Sequence, residues 1–258
     1  MTKYTIAVVE DTINVLETFL QVDRALSLAD VIQRTGLVKN KAFRILATLS
    51  EHQLVIRDEE SKYALGPRFL AFGEHVQEHN VLVKTASQVM DWLVEETQET
   101  IFLGVVDDTK ALVLAARESP QSVRLFGAVG RRAPLHTGGV PKVLLAFLPQ
   151  EEREAILNQN TLDPITSFTM TDHDELVAYL ETIREQGYAV TAADLDLDAV
   201  SIAAPIYDAT GKVTAAMSIA GPVYRFPEAK TKQCVNLILQ GTERVSQLLG
   251  HKPIAQSR

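Results

Sequence analysis

"LSLADVIQRTGLVKNKAFRILATLSEHQLV", residues 26–55, is the stretch that decides the fold. Ser27 stands where a helix N-cap belongs, with Asp30 three residues on in the capping-box position. The helix it opens, "LADVIQRT", is short, and Gly36 ends it as a C-cap glycine does. A further helix is expected from about residue 38 to residue 52, with Ala42, Ile45, Leu46 and Leu49 on one apolar stripe. Its first two turns hold Lys39, Asn40, Lys41, Phe43 and Arg44. Two helices joined by a tight turn, the second apolar along its back and cationic at its start, are built to lie against a polyanion.

Working outward, residues 6–20, "IAVVEDTINVLETFL", place Val9, Ile13, Leu16 and Leu20 at helical spacing. Downstream, "LVIRDEESKYALG" reads as strand, polar turn and returning strand. Three helices and a hairpin in this order make a winged helix-turn-helix. In that layout the third helix enters the major groove and the hairpin flanks it. Lys39, Asn40, Lys41, Phe43 and Arg44 are therefore the expected DNA contacts, with Lys62 of the hairpin on a flanking phosphate. Asn40 pairs with adenine or with a phosphate, and Arg44 reaches guanine or a phosphate; the spacing does not choose.

The charge distribution agrees. The 258-residue chain has a formal net charge of −8, yet residues 1–70 hold nine basic and nine acidic residues, and the remainder 16 basic against 24 acidic. Residues 31–50 contain four cations and no acid. A basic face on a neutral module fits nucleic acid, whereas the acidic remainder does not. No apolar run approaches the roughly 18 residues that span a bilayer. Glu10 and Asp11 come too early for the apolar region of a signal peptide. The single cysteine, Cys234, allows no internal disulfide and fits a reducing cytoplasm.

From Pro67 the chain reads as a linking helix with a break near Asn80. His75 and His79 have metal-ligand spacing but no evident third ligand, so no metal and no cofactor is expected. Beyond residue 100 strands and helices mix. "TIFLGVVDDTKALVLAARE" is a strand pair, and "VRLFGAVGRRAPLH" a strand and loop. "GGVPKVLLAFLP" and "EEREAIL" begin helices. "TDHDELVAYLETIREQGYAV" is a helix capped by Thr171, with Asp174 at its third position, and stopped by Gly187. "SIAAPIYDATGKVTAAMSIAGP" is a hairpin, and an amphipathic helix closes the chain. Such a mixture makes an α+β domain with an antiparallel sheet.

The loop "LHTGGVPK" offers backbone N–H groups at Gly138 and Gly139 just before a helix, an arrangement suited to an anion. The competing reading is that the two glycines only permit the turn. Thr137, Ser201 and Ser218 supply hydroxyl groups. Together they favour a polar or anionic metabolite of modest size. "DLDLD", residues 194–198, alternates carboxylates in a way that suits a cation, but the favoured reading is a solvated loop or edge. No G-x-S-x-G elbow, phosphate-binding loop or zinc pattern is present, so no catalytic residue is expected and the chain does not read as an enzyme.

Four blocks in order resemble the IclR family of bacterial transcriptional regulators. They are residues 26–55, "YALGPRFLAFG", "GRRAPLHTGGVPKVLLAFLP" and "GYAV…SIAAPIYDATGKVTAAMSIAGP". The resemblance implies a winged helix-turn-helix domain over residues 1–66, a linker helix over 67–82 and a GAF-like effector-binding domain over 83–258. It implies a homodimer or homotetramer on palindromic double-stranded operator DNA, with affinity modulated by a small molecule. By the same resemblance Val140, Thr191, Ser201 and Ala220 line the effector pocket; the family often has a small residue, an acid, a cysteine and a serine there. A metabolite-binding module whose winged helix contacts protein rather than DNA is the alternative.

Overall fold

The side chain of Ser27 accepts a hydrogen bond from the Asp30 backbone N–H at 3.2 Å, and the Asp30 carboxylate accepts one from the Ser27 N–H at 2.8 Å. This reciprocal cap starts helix α2 (Leu28–Thr35), and Gly36, at φ +69°, ends it in the left-handed conformation. The computed structural model describes residues 4–159 and 161–252. Residues 1–3 of the expected winged-helix domain, and 160 and 253–258 of the expected effector domain, lie outside the described residues. The chain divides into two compact units, Met1–Glu78 and His79–Arg258.

In the first unit α1 (Ala7–Leu20), α2 and α3 (Lys39–Glu51) precede an antiparallel hairpin of β1 (Val55–Arg57) and β2 (Tyr63–Leu65), in the register Ile56 opposite Ala64. Ala42, Ile45, Leu46 and Leu49 are buried, as their spacing requires. The reading of α1 needs correction. Its core-facing residues are Val15, Thr18 and Phe19, while Val9, Ile13 and Leu20 are exposed. Helix α1 carries two apolar stripes, and the α2–α3 core takes the one centred on Val15 and Phe19. Helix α4 (Arg68–His79) follows and has no buried residue. Asn80 breaks the path and caps α5 (Val81–Thr97), its side chain accepting from the Val83 N–H at 3.1 Å.

The second unit is built on a six-stranded antiparallel sheet. Its strands are β3 (Thr100–Asp107), β4 (Lys110–Arg117), β5 (Arg132–Pro134), β6 (Ala189–Ala192), β7 (Ala199–Tyr207) and β8 (Val213–Pro222), in the order β5-β4-β3-β8-β7-β6. Alternation along β7 and β8 separates two cores. Ile202, Met217 and Ile219 pack against α5 and the terminal helix α9 (Glu228–Leu248). Ala203 and Ala216 face α6 (Gly139–Phe147) and α8 (His173–Gln186). The small side chains on that face let α6 sit close: a Cβ placed on Gly139 would lie 2.6 Å from Ser201 Oγ and 3.1 Å from Ala203 Cβ. Helix α7 (Gln150–Gln159) lies between α6 and α8 in the chain.

Three local expectations are corrected. The strand in "VRLFGAVGRRAPLH" is confined to β5; residues 118–131 form no helix or strand. Two of their carbonyls are taken by side chains instead of a ladder: Thr100 Oγ1 donates to Leu125 O at 3.0 Å and Arg225 Nη1 to Val123 O at 2.6 Å. The cap of α8 is Asp172 rather than Thr171. Its carboxylate accepts from the Glu175 N–H at 2.9 Å, which moves Glu175 to the third position. Within "DLDLD", Asp194 is buried rather than solvated.

Candidate nucleic-acid interface and ligand pocket

Opposite the buried stripe of α3, the side chains of Lys39, Asn40, Phe43 and Arg44 share one exposed face. Phe43 is 48% exposed, an aromatic ring that the core does not use. Lys39 and Arg44 make no ion pair among the described residues. The other two expected contacts are drawn elsewhere. Lys41 lies at the edge of the face and pairs with Asp11 of α1. The Nζ of Lys62 sits 2.7 Å from Glu60 in a hairpin turn that also holds Asp58 and Glu59. The hydrogen bond that the exposed Lys62 ammonium donates to Glu60 raises its pKa. Arg57, which the sequence reading did not single out, lies on β1 with its guanidinium 5.7 Å from the Tyr63 ring centroid. It shares a strand face with the buried Val55 but lies at the end of β1, where its side chain is exposed. Behind the face, Arg24 holds the Asp30 carboxyl well below the usual carboxylate range, with the Ser27 cap adding to the effect.

In the second unit a cavity of about 100 Å³ lies between the sheet and the start of α6. Gly138, Gly139, Val140, Thr191, Ser201, Ser218 and Ala220 all border it, together with Phe102, Leu112, Leu125 and Phe126. Thr137 does not. It is fully buried, and its hydroxyl donates to Pro134 O at 2.9 Å. The Ser201 and Ser218 hydroxyls have no hydrogen-bond partner among the described residues, and the Thr191 hydroxyl reaches Ser201 O only at 3.4 Å.

The first turn of α6 carries the polar chemistry. Gly138, at φ +70°, turns the chain so that its N–H donates to Asp194 Oδ2 at 3.1 Å. Lys142 Nζ approaches the same oxygen at 2.6 Å, and the ammonium lies 5.4 Å from the Tyr179 ring centroid. Burial raises the phenol pKa of Tyr179, whose hydroxyl donates to Val190 O at 2.7 Å. The Gly139 and Val140 N–H groups have no acceptor among the described residues, and Pro141 has no N–H. One of the expected anion donors is thus occupied by the protein's own carboxylate, and the next two remain open. His136 is structural here, its Nε2 3.0 Å from Asp163 O. Asp194 and Lys142 were missed by sequence reasoning. They lie 52 residues apart, and each alone reads as a surface charge.

Among the described residues no helix is long and apolar enough to cross a membrane. The family model described as "IclR helix-turn-helix domain" matches residues 8–59, and that described as "Bacterial transcriptional regulator IclR C-terminal" matches residues 74–247. The HTH-type transcriptional regulator KipR of Bacillus subtilis (strain 168) is 33% identical over 227 residues, covering 88% of this chain and 91% of its own. KdgR of Dickeya chrysanthemi is 30% identical over 230 residues, covering 89% of this chain and 75% of its own. The structure of an IclR transcriptional regulator from Alicyclobacillus acidocaldarius superimposes with a TM-score of 0.86 at 24% identity, over 96% of this chain and 100% of that one. An IclR homolog from Microbacterium hydrocarbonoxydans, complexed with 4-hydroxybenzoate, has a TM-score of 0.78 at 25% identity, over 94% and 98%. With a DNA-binding helix-turn-helix unit followed by the matching effector-binding unit, the chain belongs to the IclR family of bacterial transcriptional regulators.

Proposed function

We propose that this regulator grips a palindromic operator with the exposed face of α3, and that a small polar or anionic metabolite in the α6 cavity modulates the grip. The unpaired face of Lys39, Asn40, Phe43 and Arg44 carries the first part. Cations free of internal partners release counterions on meeting phosphates, and an exposed aromatic ring suits apolar contact with a base. Lys41 and Lys62 give less, being already engaged with Asp11 and Glu60. The N–H groups of Gly139 and Val140 and the hydroxyls of Ser201 and Ser218, which have no partner among the described residues, support the second part. That one relative was crystallised with 4-hydroxybenzoate, a small phenolic acid, supports a ligand of that size and charge. The chain works in the cytoplasm and catalyses no reaction in this reading.

The operating form is a homodimer or homotetramer, whose two α3 helices meet successive major grooves about 34 Å apart. The unburied stripe of α1, with Val9 and Ile13, and the exposed Leu70, Phe72 and Val76 of α4 support it, because such apolar surface calls for a partner. Residues 1–66 act as the DNA head, 67–82 as the linker helix and 83–258 as the effector domain. The effector shifts DNA affinity only by as much as it prefers one arrangement of the oligomer over the other.

The test is fluorescence anisotropy of operator DNA at a series of salt concentrations, with the parent and a Lys39→Ala, Arg44→Ala double variant. Weaker binding to every sequence and a shallower salt dependence are expected. Undiminished binding by the double variant would overturn the assignment of the face and favour a protein partner for the winged helix.

A further inference from the structure

Two segments that border the α6 cavity each carry a charged residue, and the two residues face each other. Arg131 ends the irregular segment 118–131, and Asp196 lies in the loop between β6 and β7. Both border the cavity, with Arg131 Nη2 3.4 Å from Asp196 Oδ1 and the side chains 39% and 47% exposed. The pair is long for a charge-assisted hydrogen bond and open to water, so it is weak and exchangeable. Arg131 is the one cation among the residues bordering the cavity; the other charged ones are Asp194 and Asp196. Asp194 is already neutralised by the buried Lys142.

This charge arrangement decides what can enter. With Arg131 held by Asp196, the site is neutral overall, and an incoming anion gains nothing until Asp196 lets go. Asp196 is free to do so, since nearly half its side chain is in solvent. A neutral ligand leaves the clasp intact, and a cation drawn to Asp196 meets Arg131 and the N–H groups of Gly139 and Val140, which have no acceptor among the described residues.

We propose that Arg131 is the specificity-determining cation of the effector site, that its ligand is an organic anion, and that Asp196 occupies the cation until the anion replaces it. The inference rests on the reading of this cavity as the effector site and names the charge the site selects. Anion entry thereby uncouples segment 118–131 from the β6–β7 loop, so the two walls move apart only for a ligand of the right sign.

Charged thiol reagents of similar size test this without knowledge of the natural effector. Ser201→Cys places a thiol in the cavity wall of the full-length protein, while the native Cys234 is buried and serves as a check on folding. The probes are a sulfonate-bearing and a trimethylammonium-bearing methanethiosulfonate. The sulfonate reagent is expected to react faster than the cationic one. Adding Arg131→Gln should cut that ratio about tenfold, Arg131→Lys should restore most of it, and Asp196→Asn should raise it. If the introduced thiol reacts but its ratio is the same with and without Arg131, the anion inference fails and the effector cavity stands. If neither reagent modifies it while Cys234 also stays silent, the cavity is closed to small molecules, and the effector-site reading fails with it.

Discussion

Lys142 Nζ lies 2.6 Å from Asp194 Oδ2, with the two side chains 3% and 7% exposed. The pair joins the first turn of α6 to the loop after β6, and the same carboxylate caps the Gly138 N–H. Buried charges in water-poor surroundings depend on each other, and removing one leaves the other without compensation. Lys142→Met should therefore destabilise the second unit by about 3–5 kcal/mol. Asp194→Leu in the same chain should recover much of the loss, because the uncompensated charge is gone. Trp92, in α5 of that unit, is the one tryptophan of the chain, so its fluorescence in urea reads this transition. A double variant as unstable as the single would show that the pair does more than neutralise charge.

On the DNA face the geometry separates lysines that look alike in sequence. Lys39→Ala should flatten the logarithmic salt dependence of operator binding by about one unit, the share of one phosphate contact. Lys41→Ala should leave that slope nearly unchanged and lower the unfolding midpoint of the first unit, since it strips Asp11 of α1 of its partner. Anisotropy titrations at four salt concentrations, with thermal unfolding of the same samples, check both. Equal slopes for the two variants would mean that Lys41 leaves Asp11 to reach the phosphates.

Glu99 is the hub of a second buried cluster. Its carboxylate accepts two hydrogen bonds from Arg225, at 2.8 and 2.5 Å, and one from Lys230 of α9 at 2.6 Å. Arg225 also donates to Val123 O, which pins segment 118–131 beside the cavity. Glu99→Gln keeps the shape and removes the charge, leaving two cations facing an amide. Faster amide exchange across residues 119–126, together with a lower Trp92 transition, is the expected result by mass spectrometry. Loss of stability without faster exchange in that segment would show that Arg225 holds Val123 on its own. Gly221→Ala should act in the same direction, since its Cβ would overlap the Glu99 carboxylate.

How far these features were readable in advance follows from their range. The α2 cap and stop are settled within ten residues, Ser27 to Gly36, so local chemistry sufficed. The buried stripe of α3 has a single periodic solution, and it is the one observed. Helix α1 offers two stripes, and only the position of α2 and α3 chooses between them. Thr171 and Asp172 are adjacent cap candidates, separated by which one the chain turns toward the Glu175 N–H. Segment 118–131 has strand-like residues at Val123, Leu125 and Phe126, but side chains from β3 and from beyond β8 take the carbonyls of Val123 and Leu125. Most of the polar cavity lining was legible from the glycine loop and the serines together with the family resemblance. Its charges were not, because Asp194, Arg131 and Asp196, and the Lys142 that neutralises Asp194, acquire meaning only when distant segments meet.

Cys234 gives a pH dependence with a definite sign. Burial pushes its thiol pKa up to about 11 from the ordinary 9, with Glu99 adding to the rise and Lys230 opposing it. The raised pKa belongs to the folded state, so the folded chain keeps a proton that the unfolded chain releases first. The associated stability is complete below the unfolded value near 9 and is lost as pH climbs toward 11, at up to about 1.4 kcal/mol per pH unit. Other groups titrate in the same range, so the informative quantity is the difference between the parent and Cys234→Ala. Urea midpoints of the Trp92 transition from pH 7 to 10.5 should run parallel for the two proteins up to pH 9 and converge above it, with the parent falling faster. Parallel curves through pH 10.5 would show that the thiolate is accommodated in the fold, with Lys230 turning to meet it.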